Sequence, residues 1–194
     1  MKGKFGKFLE RDISTKSKES DEHNAIDVIL AERTITETNL VLDHGADEPH
    51  ETLTDNTFMC EEGSYVPKNY ALNRGGVIIR GKVDKLKCLD LTYETDKRLK
   101  RESFLITGTD PVMRKFLETV ISDRAGYIYE KRGLDVFTRL CSDAKELYKL
   151  IDFAKAHGLD ALKFNDESLD TWMNDKSYLI FDGSKIKVID IIEP

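Results

Sequence analysis

The sequence predicts an α+β protein. Strand-like segments rich in β-branched residues gather towards both ends of the chain, and helical segments with clear start and stop signals are inserted between them. Size agrees with this: 194 residues, 40% apolar and 34% charged, form a core without metal or disulfide support. Residues 25–194 are read as one domain, preceded by a flexible basic arm over residues 1–24.

The arm is rich in Lys, Ser, Glu and Asp after a small cluster of Phe5, Phe8 and Leu9. Ala25 to Arg33 reads as a short helix with Ile26, Ile29 and Leu30 on one side. Thr34 to Asp43 has strand character and leads into Asp43-His44-Gly45. From Asp43 to Glu62 the chain carries seven acidic residues and no Lys or Arg, punctuated by Pro49, so loop-dominated surface is expected. Pro67 suits the first turn of a helix that Gly75-Gly76 stops. Val77–Val83 and Leu86–Leu91 read as two strands joined at Asp84-Lys85, and Ser103–Thr107 as another. Asp110-Pro111 opens a helix with a stripe of Met113, Phe116, Leu117, Val120 and Ile121. A short helix is expected over Leu134–Leu140. Asp143-Ala-Lys-Glu146 has the capping-box pattern, and Gly158 is the expected left-handed stop of the helix it opens. Two strands follow, around Ala161–Phe164 and Ser177–Phe181, and Lys185–Ile192 predicts a third.

Charge narrows the function. A formal net charge of -6 argues against broad nucleic-acid binding, which needs clustered Lys and Arg. Residues 1–18 carry six basic against two acidic side chains, a local +4 that leaves about -10 for the rest. Such an arm is usually a solvated terminus; docking on an acidic partner is the sharper reading. No run approaches the roughly 18 apolar residues of a membrane span. The N-terminus has no apolar signal core, so a cytoplasmic protein is expected. Cys60, Cys88 and Cys141 are widely spaced without Cys-x-x-Cys, which predicts reduced, buried thiols rather than zinc ligands. There is no Gly-x-Gly-x-x-Gly, no Walker loop and no Gly-x-Ser-x-Gly elbow. His44 and His50 lie among carboxylates, but at no spacing characteristic of a metal site.

Two features have the chemistry of a ligand site. A neutral imidazole at His44 can donate to a ribose hydroxyl, and Gly45 lets a ligand reach the backbone. Phe58 and Tyr70 supply aromatic faces able to sandwich a planar ring. Taken alone, a His-Gly is more often a plain strand-to-turn junction, and such aromatics are more often core.

In order along the chain, Leu42-Asp-His44-Gly45, Thr57-Phe58-Met-Cys60, Asn69-Tyr70-Ala71, Gly76-Val-Ile-Ile-Arg80, Cys88-Leu-Asp-Leu91, Gly158-Leu-Asp-Ala-Leu162 and Tyr178-Leu-Ile-Phe-Asp182 form a set of short blocks. Together they resemble the ADP-ribosyltransferase fold, in its poly-ADP-ribose-polymerase and diphtheria-toxin-like branch and its small bacteriophage domains. The resemblance implies a split, mainly antiparallel β-sheet with inserted helices that grips NAD as substrate. It assigns His44 and Gly45 to the ribose and the nicotinamide amide, and Phe58 and Tyr70 to stacking about the nicotinamide ring. Cleavage in that family passes through an oxocarbenium-like state stabilised by a glutamate just before the last Tyr-x-x-Phe-Asp strand. Here that position is Ser177, retained as a binding residue, and Glu167 in the preceding excursion is the carboxylate assigned to reach in; Asp175 is the other acidic residue there. Arg74 and Arg80 are the cations nearest in sequence to offset a pyrophosphate. The implied activity is mono-ADP-ribosyl transfer to a protein or other macromolecular acceptor, or NAD hydrolysis, in a host cytoplasm or phage particle. The alternative is a catalytically weak or inactive binding module or virion accessory protein of the same fold.

Overall fold

The computed structural model of the chain describes residues 21–92, 99–102, 105–133, 143–167 and 174–194. In order these form α1 (residues 21–33), β1 (Thr34–Ala46), β2 (Thr57–Glu61), α2 (Tyr65–Arg74), β3 (Val77–Asp90), β4 (Leu99–Glu102), β5 (Leu105–Gly108), α3 (Pro111–Val120), α4 (Asp123–Arg132), α5 (Ala144–Ala156), β6 (Ala161–Glu167), β7 (Asn174–Ile180), a single 3-10 turn (Gly183–Lys185) and β8 (Lys187–Ile192).

The α+β class holds, and every pairing but β3–β6 is antiparallel. The sheet order β1-β2-β7-β6-β3, with β3 also paired to β1, closes a five-stranded barrel, and β8 adds a sixth strand beside β3. The described strands thus form one closed sheet rather than two halves, because β1 pairs with both β2 and β3. β4 and β5 form a separate hairpin.

Side-chain alternation divides the core into two. Leu42, Met59, Val83, Leu86, Cys88, Ala161, Tyr178 and Ile180 fill the barrel. Their neighbours Leu89, Leu162, Phe164, Leu179 and Phe181 face outwards, against Ile29 of α1, Met113, Phe116 and Leu117 of α3, and Leu150, Ile151 and Ala154 of α5. Burying each large apolar side chain of this kind contributes about 1.5–3 kcal/mol. Lys163 is the exception inside. It reaches across the barrel to Glu37 of β1 (2.5 Å) and lies 5.4 Å from the Tyr178 ring centre, so its charge is paired rather than stranded. Two other groups in the barrel are held in their neutral forms: burial pushes the Cys88 thiol up to about 12 and raises the Tyr178 phenol as well.

Helix punctuation follows the sequence closely. Asp110 accepts from Val112 N, and Pro111 sits at the first position of α3. Asp143 caps α5 through Lys145 N and Glu146 N. Glu146 does not close the capping box; its carboxylate accepts from the Ser122 hydroxyl (2.6 Å) and ties α5 to α4. Gly158 is left-handed (φ 67°), as expected of the stop after α5.

Four expectations need correction. Residues 21–24 belong to α1 rather than to the arm, and Glu22 pairs with Lys115 of α3 (3.0 Å); residues 1–20 lie outside the described part. Asp84-Lys85 is no turn: β3 runs unbroken past it because β1 pairs on either side, at Lys85↔Thr38 and Val83↔Leu40. β2 lies inside the supposed loop, and helix α4, capped by Ser122, was not foreseen. The helix expected over residues 134–140 and Cys141 lie outside the described residues. Cys60 and Cys88 are buried and not joined in a disulfide, as expected of reduced thiols. Among the described residues, no helix is long and apolar enough to cross a membrane.

Candidate functional site

The barrel is least continuous along its β1–β2 seam. The two strands share only Leu42↔Glu61 and Asp43↔Cys60. β1 then continues along β3 to Ala46↔Val77, while β2 continues along β7 through Phe58↔Leu179 and Thr57↔Ile180. A wedge opens between them, walled by the loop over residues 47–56 on one side and α2 on the other. It forms a cleft of about 610 Å³, within the usual range for small-molecule sites. His44, Gly45, Phe58 and Tyr70, which the sequence singled out from three separate segments, all line it.

His44 sits where the ladder fails. Its Nδ1 lies 2.7 Å from the Phe58 carbonyl oxygen. A carbonyl only accepts, so Nδ1 carries the proton, and the ring supplies the hydrogen bond that the parted strand has lost. Burial holds the imidazole's pKa below its ordinary value; the bond to Phe58 opposes this and His50 nearby adds to it. A neutral ring with Nδ1–H engaged leaves Nε2 as an acceptor. The expected bond to a sugar hydroxyl therefore runs the other way, with the hydroxyl donating to Nε2.

The two aromatics are held but not hidden. Phe58 packs edge-on against Phe164 at 6.0 Å and is still 39% exposed; Tyr70 is 41% exposed. Large aromatics left this open at a cleft are available for stacking on a planar ligand. Tyr70 owes its place to Gly45: a Cβ there would lie 2.6 Å from the Pro67 carbonyl oxygen and 3.0 Å from Tyr70 Cβ. Gly45 thus lets α2 press on β1, a role distinct from the backbone access foreseen for it.

A clamp fixes the seam at the cleft wall. The buried Asp43 carboxylate accepts from Arg80 Nε (2.8 Å), Arg80 Nη2 (3.1 Å) and Gly63 N (2.9 Å), while Arg80 Nη1 pairs with Glu62 (2.8 Å). Hydrogen bonding to Asp43 is the main reason that the Arg80 pKa is raised further. One planar fork joins β1, β3 and the turn leading into α2.

No family model, curated protein or solved structure matches this chain.

The remaining sequence candidates fall in different places. Ser177 is 1% exposed on β7, opposite Cys60 and Phe164, and its hydroxyl meets Cys60 Sγ at 3.1 Å. Cys60 itself lines the cleft, so Ser177 stands one side chain behind the wall. Glu167 ends β6 opposite Asn174; its side chain, like that of Asp175, lies outside the described residues. Arg80 is committed to the clamp. Arg74 ends α2 with its guanidinium 5.4 Å from the Tyr70 ring centre. Among the described residues, no group of three or more His, Cys, Asp or Glu side chains is placed to hold a metal.

Sequence reasoning missed the wall from Thr52 to Thr57 and the clamp. The clamp had a signal: Asp43 and Arg80 are single charges closing otherwise apolar strand segments, Leu40-Val-Leu42 and Val77-Ile-Ile79. The wall had only Asn56, a residue type that tolerates the left-handed backbone found there (φ 57°).

Proposed function

We propose that the chain takes up NAD in the seam cleft and acts as a mono-ADP-ribosyltransferase or NAD glycohydrolase on a macromolecular acceptor, within a fold of the ADP-ribosyltransferase kind. The observation that carries this reading is the convergence of His44, Gly45, Phe58 and Tyr70 on one cleft. The wedge between β1 and β2 supports it too: past Asp43↔Cys60 the two strands part and leave room for a ligand at the rim of the barrel. His44 Nε2 accepts from a ribose hydroxyl, and Phe58 and Tyr70 hold the planar base. The α2 wall excludes water from one side of the bound ring.

A second reading, a binding module with little or no catalysis, is favoured by one specific observation. The position where the family's carboxylate is expected holds a buried, neutral Ser177, and the buried cleft-side carboxylate Asp43 is neutralised by Arg80. Incubation with nicotinamide-labelled and adenylate-labelled NAD plus a bacterial lysate separates the two. Label transferred to protein, or nicotinamide released, supports the enzyme; retention of intact NAD without turnover supports the binding module. If turnover is seen, Glu167→Gln removes most of it; unchanged turnover excludes Glu167 as the stabilising carboxylate.

A further inference from the structure

We infer that Arg74 anchors a phosphate of the ligand, so that the cleft selects a phosphorylated nucleotide over the bare nucleoside. This rests on the reading of the cleft as a nucleotide site and adds the group that decides which form binds. Three observations lead to it. Val66, Tyr70 and Arg74 are spaced i, i+4, i+8 and form one stripe along α2, and the first two line the cleft. The stripe therefore continues from the aromatic wall to Arg74 at the helix end. There the guanidinium lies 5.4 Å from the Tyr70 ring centre, a separation at which cation–π attraction steadies it and leaves N–H donors for another partner.

The second observation is electrostatic. Arg74 is exposed and is in none of the ion pairs found among the described residues. Arg80, by contrast, is bound by Asp43 and Glu62. The third is the setting: among the described residues no Lys or Arg lines the cleft, whereas Asp47 does, and the Asp43 charge there is already paired with Arg80. An anion entering this acidic wedge needs a cation at its edge. Arg74 has its charge uncommitted and its fork shaped for a phosphate.

Calorimetric titration of the full chain and of Arg74→Gln with NAD, nicotinamide riboside and inorganic pyrophosphate tests this. Arg74 is exposed, and an unchanged melting curve verifies that the variant folds. Expected are an NAD affinity about tenfold or more weaker in the variant, consistent with loss of a charge-assisted contact, and an unchanged riboside affinity. The salt sensitivity of NAD binding seen in the native chain should also fall in the variant. Equal NAD affinity for both proteins overturns the anchor and leaves the NAD reading standing, and equal weakening of NAD and riboside overturns the anchor as well. Pyrophosphate binding that depends on Arg74, without NAD binding, keeps the anchor and removes the NAD reading. A native chain that binds none of the three overturns both.

Discussion

Replacing Gly45 with alanine is the sharpest perturbation of the site, because it adds a single methyl group at the point where α2 touches β1. The new Cβ would meet the Pro67 carbonyl oxygen at 2.6 Å and the Tyr70 Cβ and Cδ1 at 3.0 and 3.1 Å. The closest of these is backbone, so no rotamer change relieves it. Restoring a carbon–oxygen contact of roughly 3.3 Å requires about 0.7 Å of movement between the helix and the strand. Overpacking of this kind costs about 1–3 kcal/mol. In a chain of this length that lowers Tm by roughly 2–4 °C for each kcal/mol. Tyr70 moves with the helix, so ligand affinity falls as well. Urea denaturation gives the stability change, and NAD titration of the folded fraction gives the second effect. A Gly45→Ala protein within about 0.5 kcal/mol of the native chain, binding NAD normally, would refute the close approach and with it the assigned role of Gly45.

Three further outcomes are expected. The His44 ring titrates below its ordinary value of about 6.5, read by NMR of the folded chain; a midpoint above that value contradicts the half-buried, neutral imidazole. Between the folded and unfolded pKa values the unfolded chain binds more protons, so the His44 contribution to stability falls as pH drops below about 6.5 and levels off beneath the folded value. Glu37→Gln leaves the Lys163 charge unpaired inside the barrel and destabilises by about 1–2 kcal/mol, discounted because Glu37 is a quarter exposed; adding Lys163→Met recovers part of it, and strictly additive losses would deny the pairing. Cys88, with its thiol near 12, stays unlabelled by iodoacetamide at pH 8 in the native chain and reacts on unfolding, as peptide mass spectrometry would read; native labelling would contradict its burial.

Helices α3 and α5 were legible because their ends are written in local chemistry. Asp110-Pro111, Asp143 and Gly158 act on backbone groups within a few residues, so no knowledge of the rest of the chain is needed. The barrel was not legible, because closure depends on β1 pairing with two strands at once, and one of these, β2, is only Thr57–Glu61 set in acidic loop sequence. Its membership is decided by Met59 and Cys60 packing across to Tyr178 and Ser177, contacts more than a hundred positions apart in the chain. For the site, His44, Phe58 and Tyr70 could be named from residue type and order, but the direction of the His44 hydrogen bond could not. That is set by a carbonyl left over where β1 and β2 part. Ser177 illustrates the same limit: its position in the strand is readable, its enclosure behind Cys60 is not.

An NMR-detected titration of the full chain with NAD bears most directly on the cleft. The expected result is a saturable set of shifts centred on His44, Gly45, Phe58 and Tyr70, largely abolished by Tyr70→Ala while the fold is kept. Spectra unchanged at millimolar NAD, or shifts centred away from the β1–β2 seam, would contradict it.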